Sequence, residues 1–126
     1  MRTPSLRGFT LIELVVTVAI VALLASSVLP LAELVVQRGR DQDLHAALRD
    51  IRTAIDAYKQ ASETGHLPRK LGSSGYPPNL NVLVEGVFDA QDPEGKKRIY
   101  FLRRIPRDPT FSDSSVAAEN TWGLRS

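Results

Sequence analysis

The stretch Arg7-Gly8-Phe9-Thr10-Leu11-Ile12-Glu13 decides the organisation of this chain, because it marks the change from a short basic leader to a long apolar segment. The apolar segment begins at Phe9 and continues to Leu29. About 20 apolar residues cross the hydrocarbon core of a bilayer as a helix, at a rise of ~1.5 Å per residue. Residues 9–29 are therefore predicted to form a membrane-spanning helix.

A single acidic residue, Glu13, lies near the start of this apolar segment. A carboxylate at the bilayer centre costs roughly 2.5–3.5 kcal/mol, so an acid in such a segment is a candidate functional residue. Two simpler interpretations stay open: a signal anchor in which Glu13 has no role, and a secretory signal peptide cleaved among the small residues 22–27. Signal peptides have an apolar core of about 7–15 residues, and the length and charge of this segment argue against one.

The seven residues 8–14 resemble the class III signal of type IV pilins and type II secretion pseudopilins. The resemblance implies that a prepilin peptidase cleaves between Gly8 and Phe9 and that the new amino group of Phe9 is methylated. It also implies that Glu13 acts in filament assembly. Residues 1–8 are then a cleaved leader peptide, and residues 9–37 form the transmembrane and filament-core helix.

Composition allows one small domain besides the membrane segment, since the chain has 126 residues. The net charge is +2, but the leader contributes Arg2 and Arg7, so the processed chain is near neutral and is not expected to bind nucleic acid. Basic residues beside an apolar span keep that end cytoplasmic. We therefore expect a single-pass protein of the bacterial inner membrane, with a cytoplasmic leader and a periplasmic C-terminal domain.

The chain contains no cysteine, which excludes a disulfide and a zinc-finger type metal site. Major type IV pilins commonly close a C-terminal loop with a disulfide. The resemblance therefore favours the pseudopilin branch of the superfamily.

The second half of the predicted helix is amphipathic. Pro30 predicts a kink or local unwinding, after which the helix is expected to continue past Gly39. Apolar residues then recur at spacings of three and four, which places them on one helical face: Leu44, Leu48, Ile51, Ile55 and Tyr58. Gly65 and Pro68 mark the end of the helix.

The remainder of the chain is rich in turns. Residues 66–79 are predicted to be a loop, residues 92–95 a turn and residues 99–102 a short strand. Residues 80–87 could form a short helix or a strand, and the resemblance favours the helix. The fold class is thus α+β and pilin-like, with a globular domain over residues 38–126 and a short antiparallel sheet. The helix stripe is expected to pack on Leu83, Tyr100 and Leu102.

A second resemblance lies near the C-terminus. Residues 100–109 and the pair Trp122-Gly123 are similar to segments of the G-type major pseudopilins of type II secretion. Members of that family usually continue into a segment that binds calcium through backbone carbonyls and acidic side chains. This sequence ends at Ser126, so no calcium ligand is assigned and no cofactor is expected.

No catalytic constellation is recognisable in the sequence. His45 and His66 lie on different predicted elements and are expected at the surface. Six cations and two aromatic residues lie between Lys96 and Arg107, a composition that could bind single-stranded nucleic acid. The alternative, which the resemblance favours, is that these cations pair with acids of a neighbouring subunit.

The sequence therefore predicts a non-enzymatic, structural subunit of a periplasmic pseudopilus that drives protein export by type II secretion. Its expected partners are further copies of itself in a helical filament, other pseudopilins, the prepilin peptidase and the inner-membrane assembly platform. A type IV pilin or minor pilin for adhesion, motility or DNA uptake is the alternative within the class. A membrane-anchored periplasmic enzyme or DNA-binding module is the alternative outside it.

Overall fold

The computed structural model describes residues 8–124, so predictions about residues 1–7 of the leader and about residues 125–126 lie outside the described residues. The described chain has an α+β architecture, which confirms the predicted pilin-like class. Its elements in chain order are α1 (Leu11–Glu63), α2 (Asn81–Glu85), β1 (Val87–Phe88), β2 (Arg98–Ile99) and a 3-10 helix (Ala118–Thr121).

The long helix α1 contains 53 residues and runs through Pro30 without interruption. The prediction that the helix continues past Pro30 and Gly39 is confirmed, whereas local unwinding at the proline is not observed. Proline removes one backbone donor, and a helix of this length retains the hydrogen bonds on either side of it. The chain nevertheless divides into two compact units, with the boundary between Gly39 and Arg40.

The unit that ends at Gly39 has no buried residue among its described positions. Its large apolar side chains, from Phe9 to Val36, are half to almost wholly exposed. The helix contains an 18-residue window of mean hydropathy 2.6, none of it buried, which is long and apolar enough to cross a membrane.

The unit that begins at Arg40 has a small apolar core. Its buried cluster contains Ile51, Ala54, Leu80 and Leu83, and Leu83 is completely inaccessible. Six partly buried side chains surround it: Ile55, Tyr58, Phe101, Leu102, Ile105 and Trp122. The predicted packing of the helix stripe on Leu83 and Leu102 is confirmed for Ile51, Ile55 and Tyr58.

The buried face of α1 is rotated relative to the predicted stripe. Ala47 and Ala54 are buried, whereas Leu48 is 40% exposed. The buried face of the helix thus includes two small side chains beside Ile51.

The predicted strand over residues 99–102 is wrong beyond Ile99, because β2 covers only Arg98–Ile99. The backbone N–H groups of Phe101 and Leu102 both donate to the carbonyl of Leu83 in α2, at 3.1 and 2.9 Å, and this draws the chain out of the sheet. The prediction of Tyr100 as a core residue is also wrong, since it is 63% exposed. Phe101 packs inward instead, with its ring 5.4 Å from that of Tyr58.

The sheet is a two-stranded antiparallel hairpin in which Val87 pairs with Ile99 and Phe88 with Arg98. Its predicted turn is confirmed: the N–H of Gly95 donates to the carbonyl of Asp92 at 3.1 Å. The Asp92 carboxylate accepts three further backbone N–H groups, from Glu94, Lys96 and Lys97. The short helix favoured for residues 80–87 is present as α2, and residues 66–79 form a loop as predicted.

Candidate functional site at the start of the long helix

The predicted cleavage site precedes the first residue of α1. Gly8, Phe9 and Thr10 have no regular secondary structure, and the helix begins at Leu11. Phe9 is 86% exposed, and apart from Gly8 and its chain neighbours no atom of the described chain lies within 4 Å of the position that a Cβ on Gly8 would take. Within the described residues, the Gly8–Phe9 peptide bond is therefore non-helical and exposed.

Glu13 and Thr10 form a reciprocal cap at the N-terminus of α1. The Thr10 hydroxyl accepts the backbone N–H of Glu13 at 3.3 Å, and a carboxylate oxygen of Glu13 accepts the backbone N–H of Thr10 at 3.4 Å. The hydroxyl also lies 3.5 Å from the same carboxylate oxygen. This is a capping box, which satisfies two backbone donors that a helix start otherwise leaves unpaired.

The sequence interpretation missed this local role of Glu13, although the signal for it is present. A Thr or Ser followed three residues later by Glu, just before an apolar segment, is the sequence signature of a capping box. The pattern is Thr10-Leu11-Ile12-Glu13. The carboxylate therefore has a hydrogen-bond partner within its own subunit.

The other polar side chains of the apolar segment are also satisfied locally. The Thr17 hydroxyl donates to the carbonyl of Glu13 at 2.8 Å. Those of Ser26 and Ser27 donate to the carbonyl of Leu23 at 2.8 and 3.1 Å. Such bonds to preceding carbonyls hide the hydroxyl polarity inside the helix, as a hydrocarbon environment requires. Glu13 is the only charged side chain between Gly8 and Ala32.

The two histidines lie in different environments. His45 is exposed on α1, as predicted. His66 is partly buried, and its Nδ1 lies 3.0 Å from a carboxylate oxygen of Asp89, which is only 5% exposed. A hydrogen bond from the backbone of Gln91 and the contact with His66 lower the pKa of Asp89. This pair joins the loop after α1 to the hairpin, so it has a structural role that the sequence did not indicate.

The charges of the basic segment, residues 96–107, are partly neutralised within the chain. Lys96 lies 3.2 Å from Glu94, and Lys97 lies 3.7 Å from Asp89. The guanidinium of Arg98 lies 4.5 Å from the centre of the Phe88 ring and donates to the carbonyl of Glu85 at 2.9 Å. By contrast, Arg103 and Arg104 are exposed and form no ion pair within residues 8–124.

The segment between Pro106 and Trp122 is a closed loop. The indole N–H of Trp122 donates to the carbonyl of Pro106 at 2.7 Å, and the N–H of Asp108 donates to the Thr121 hydroxyl at 3.2 Å. Inside this closure, Arg107 donates to the carbonyls of Asp113 and Val116. We call residues 108–121 the C-terminal loop.

Two carboxylates of the C-terminal loop are engaged by residues two positions further along the chain. Calcium takes six to eight oxygen ligands. The carboxylate of Asp108 accepts the N–H and hydroxyl of Thr110, and that of Asp113 accepts the N–H and hydroxyl of Ser115. Across residues 8–124, no group of three or more His, Asp or Glu side chains is placed to hold a metal ion.

Comparison with known proteins places these features in a family. Residues 5–29 match the prokaryotic N-terminal methylation motif. The type II secretion system core protein G of Klebsiella pneumoniae is 30% identical over 121 residues, which cover 93% of this chain and 78% of the relative. That of Klebsiella michiganensis is 28% identical over 127 residues, covering 98% and 81%. That of Dickeya chrysanthemi is 28% identical over 120 residues, covering 93% and 71%. No solved structure is significantly similar to the chain.

A long helix that starts at a prepilin-type motif, is apolar all round in its first half and packs on a small loop-rich domain in its second half defines a pilin-like subunit. Within that class, the chain belongs to the type II secretion system core protein G family. The family is that of the major pseudopilins, so the chain is a type II secretion pseudopilin. The methylation motif and the apolar helix fit a protein that is anchored in a membrane.

Proposed function

We propose that this chain polymerises from the inner membrane into a periplasmic pseudopilus that drives protein export. The observation that carries the proposal is the first half of α1, a long apolar helix with no buried residue and one charged side chain near its start. A helix that is apolar all round requires lipid or neighbouring helices. Lipid surrounds this helix while the subunit is in the membrane, and copies of the same helix surround it in the filament.

Three residues have proposed roles in maturation and assembly. Water hydrolyses the Gly8–Phe9 amide in the prepilin peptidase, which leaves a carboxylate on Gly8 and an amino group on Phe9. A sulfonium methyl donor then transfers its methyl group to that amine, which loses a proton and remains basic. The amine of one subunit pairs with the Glu13 carboxylate of its neighbour in the filament.

The capping box supports a two-stage role for Glu13. In the membrane-resident subunit, the carboxylate is held by Thr10 near the start of the helix, so insertion does not leave it without a partner. In the filament core the dielectric constant is low, which strengthens an ion pair and raises the cost of an unpaired charge. Breaking a buried pair by removing one partner costs about 3–5 kcal/mol.

The globular part is proposed to act as a structural module, with residues 38–126 in the periplasm and no catalytic role. Arg103 and Arg104 are free of ion pairs within residues 8–124, and acids are exposed on the second half of α1, among them Asp50 and Asp56. We propose that such cations and acids pair between adjacent subunits, with other pseudopilins and the inner-membrane assembly platform as further partners. Nucleic acid is not a proposed partner, because four of the six cations between Lys96 and Arg107 are engaged within the chain.

Deletion of the coding sequence in the source bacterium tests the function. We expect exported proteins to accumulate in the periplasm and the parent chain to restore their release. Unchanged export together with a loss of adhesion, motility or DNA uptake would contradict the proposal and favour a type IV pilin.

Mass analysis of the membrane-extracted protein tests the maturation step separately. We expect a chain that starts at a methylated Phe9. A chain that starts at Met1, or near Ser26, would exclude the proposed cleavage and indicate a signal anchor or a signal peptide.

A further inference from the structure

The cation inside the C-terminal loop is a side chain of the protein itself. Nη1 of Arg107 donates to the carbonyl of Val116 at 2.5 Å, and Nη2 donates to the carbonyl of Asp113. Two carbonyl oxygens, on either side of the turn at residues 114–115, thus converge on one guanidinium. Hydrogen bonds from a charged donor are shorter and stronger than those between neutral groups.

The chemistry of the guanidinium suits this position. It is planar, it stays charged at all physiological pH values, and it presents donors in a fixed fork. Arg107 directly precedes Asp108, the first residue of the loop. Because its charge is covalently attached to the chain, it does not depend on the concentration of a free ion.

Two of the three acidic side chains of the loop, Asp108 and Asp113, are already engaged. The hydroxyl and N–H of Ser115 bind the Asp113 carboxylate and lower its pKa, and the charge of Arg107 contributes in the same direction. The Asp108 carboxylate is held by Thr110 at 2.6 and 2.8 Å. Each carboxylate makes these contacts through Oδ1, and a calcium ion at the carbonyls of Asp113 and Val116 would have to displace the Arg107 guanidinium, which also carries a positive charge.

We propose that the guanidinium of Arg107 is the resident cation of the C-terminal loop and that the folding of this loop is therefore independent of calcium. The guanidinium links the carbonyls of Asp113 and Val116 and is covalently part of the chain. The proposal does not depend on the proposed filament function, because it concerns the folding of a single subunit.

The only tryptophan of the chain, Trp122, reports directly on this loop. Its indole N–H closes the loop at Pro106, and its ring packs against the apolar core. Opening of the loop should therefore move the Trp122 emission to longer wavelength. The test uses the full chain in detergent micelles, with tryptophan emission and the thermal midpoint as readouts.

For the parent chain we expect the same emission and the same midpoint in a chelator and in millimolar calcium, the range in which extracellular calcium modules bind. A midpoint that rises in calcium or falls in the chelator would overturn the proposal.

The variant Arg107→Gln removes the charge while keeping a polar side chain. We expect a red-shifted Trp122 emission and a midpoint lower by about 5 °C or more. Arg107→Lys keeps the charge but loses the fork, so it should fall between the parent and Arg107→Gln. If Arg107→Gln does not fold, Arg107→Lys supplies the comparison.

Arg104→Gln is the matched control, because Arg104 is exposed and forms no ion pair within residues 8–124. It should leave both readouts at the parent values. Equal effects of the Arg104 and Arg107 substitutions would show that Arg107 has no special role and would overturn the proposal.

Discussion

The apolar unit that ends at Gly39 and the compact unit that begins at Arg40 satisfy their side chains in opposite ways. In the first, polar groups bond within three or four residues, as Thr17 does to Glu13 and Ser26 to Leu23. In the second, decisive bonds join distant positions: Trp122 bonds to Pro106, and His66 to Asp89. The first unit is thus complete as a helix but leaves its apolar side chains exposed, whereas the second buries its core through contacts within the subunit.

The largest expected effect of a substitution is in the apolar unit. Glu13→Val should abolish filaments when the chain is overproduced together with its secretion system, while processing and membrane insertion persist. A hydrophobic side chain leaves the neighbouring Phe9 amine without its proposed partner, at a cost of about 3–5 kcal/mol per subunit. Electron microscopy of sheared cells and membrane fractionation measure the two outcomes.

Glu13→Gln separates the charge from the cap. Glutamine also serves in a capping box, so this variant retains the local structure and loses only the charge. We expect this variant, like Glu13→Val, to form no filaments. Normal filaments from Glu13→Gln would mean that the cap, and not the ion pair, is what assembly requires.

The second largest effect is expected in the core of the compact unit. Ile51→Asp places a charge in the cluster around Leu83 and should destabilise this unit by about 4 kcal/mol or more, enough to unfold a small core. Hydrogen exchange of the full chain in micelles should show lost protection beyond Arg40 and retained protection in the apolar helix. Leu48→Asp is the matched control, since Leu48 is 40% exposed on the same helix. Equal losses from the two variants would show that Ile51 is not a special core position.

Acidification should weaken the compact unit through Asp89. The pKa of Asp89 is lowered below its ordinary value of 3.8, first by the backbone N–H of Gln91 and then by His66. A lowered folded-state pKa contributes stability that is present above the unfolded pKa and is lost as the pH falls through the folded value. The parent's thermal midpoint should therefore drop below about pH 4, the range of unperturbed Asp.

Asp89→Asn tests this assignment. The variant should be less stable than the parent at neutral pH, and the difference should shrink on acidification. Asp56→Asn, at an exposed position of α1, should follow the parent at every pH. A constant difference between the parent and Asp89→Asn would exclude the carboxylate as the titrating group.

The smallest effect is expected from Thr10→Val. It removes one half of the capping box and should cost about 1 kcal/mol, confined to the first turn of α1. Amide exchange should accelerate at residues 11–13 and stay unchanged in the compact unit. Thr17→Val, which removes only a bond to the carbonyl of Glu13, is the control and should leave the exchange of the first turn unaltered.

The helical elements were predictable because their signals are local. The apolar segment, the spacing of Ile51, Ile55 and Tyr58, and the stop at Gly65 each operate over a few residues. The turn at Asp92 is equally local, since its carboxylate binds the next backbone N–H groups along the chain. These predictions were confirmed.

The errors lie where a distant group decides the outcome. Tyr100 and Phe101 are adjacent, and both are aromatic residues with a high β-propensity. The alternation of apolar and polar residues along a strand therefore cannot show which of them faces the core. The carbonyl of Leu83 accepts hydrogen bonds from the N–H groups of Phe101 and Leu102, and the strand therefore ends at Ile99. Gly86 permits this crossing, because a Cβ there would lie 2.8 Å from Tyr100 Cδ1 and its φ is +75°.

The sequence by itself determined that this protein has a membrane-type helix with one charged residue near its start, a prepilin-type motif and an amphipathic continuation. Hydrophobicity, helical period and motif spacing are properties of neighbouring residues and need no folded context. Only the tertiary structure decided that two alanines of α1 are buried while Leu48 is exposed, that His66 joins Asp89, and that Arg107 bonds to the C-terminal loop. Those outcomes depend on which distant oxygen or side chain comes within hydrogen-bonding distance, and the free energy of such contacts appears only when the chain has closed around them.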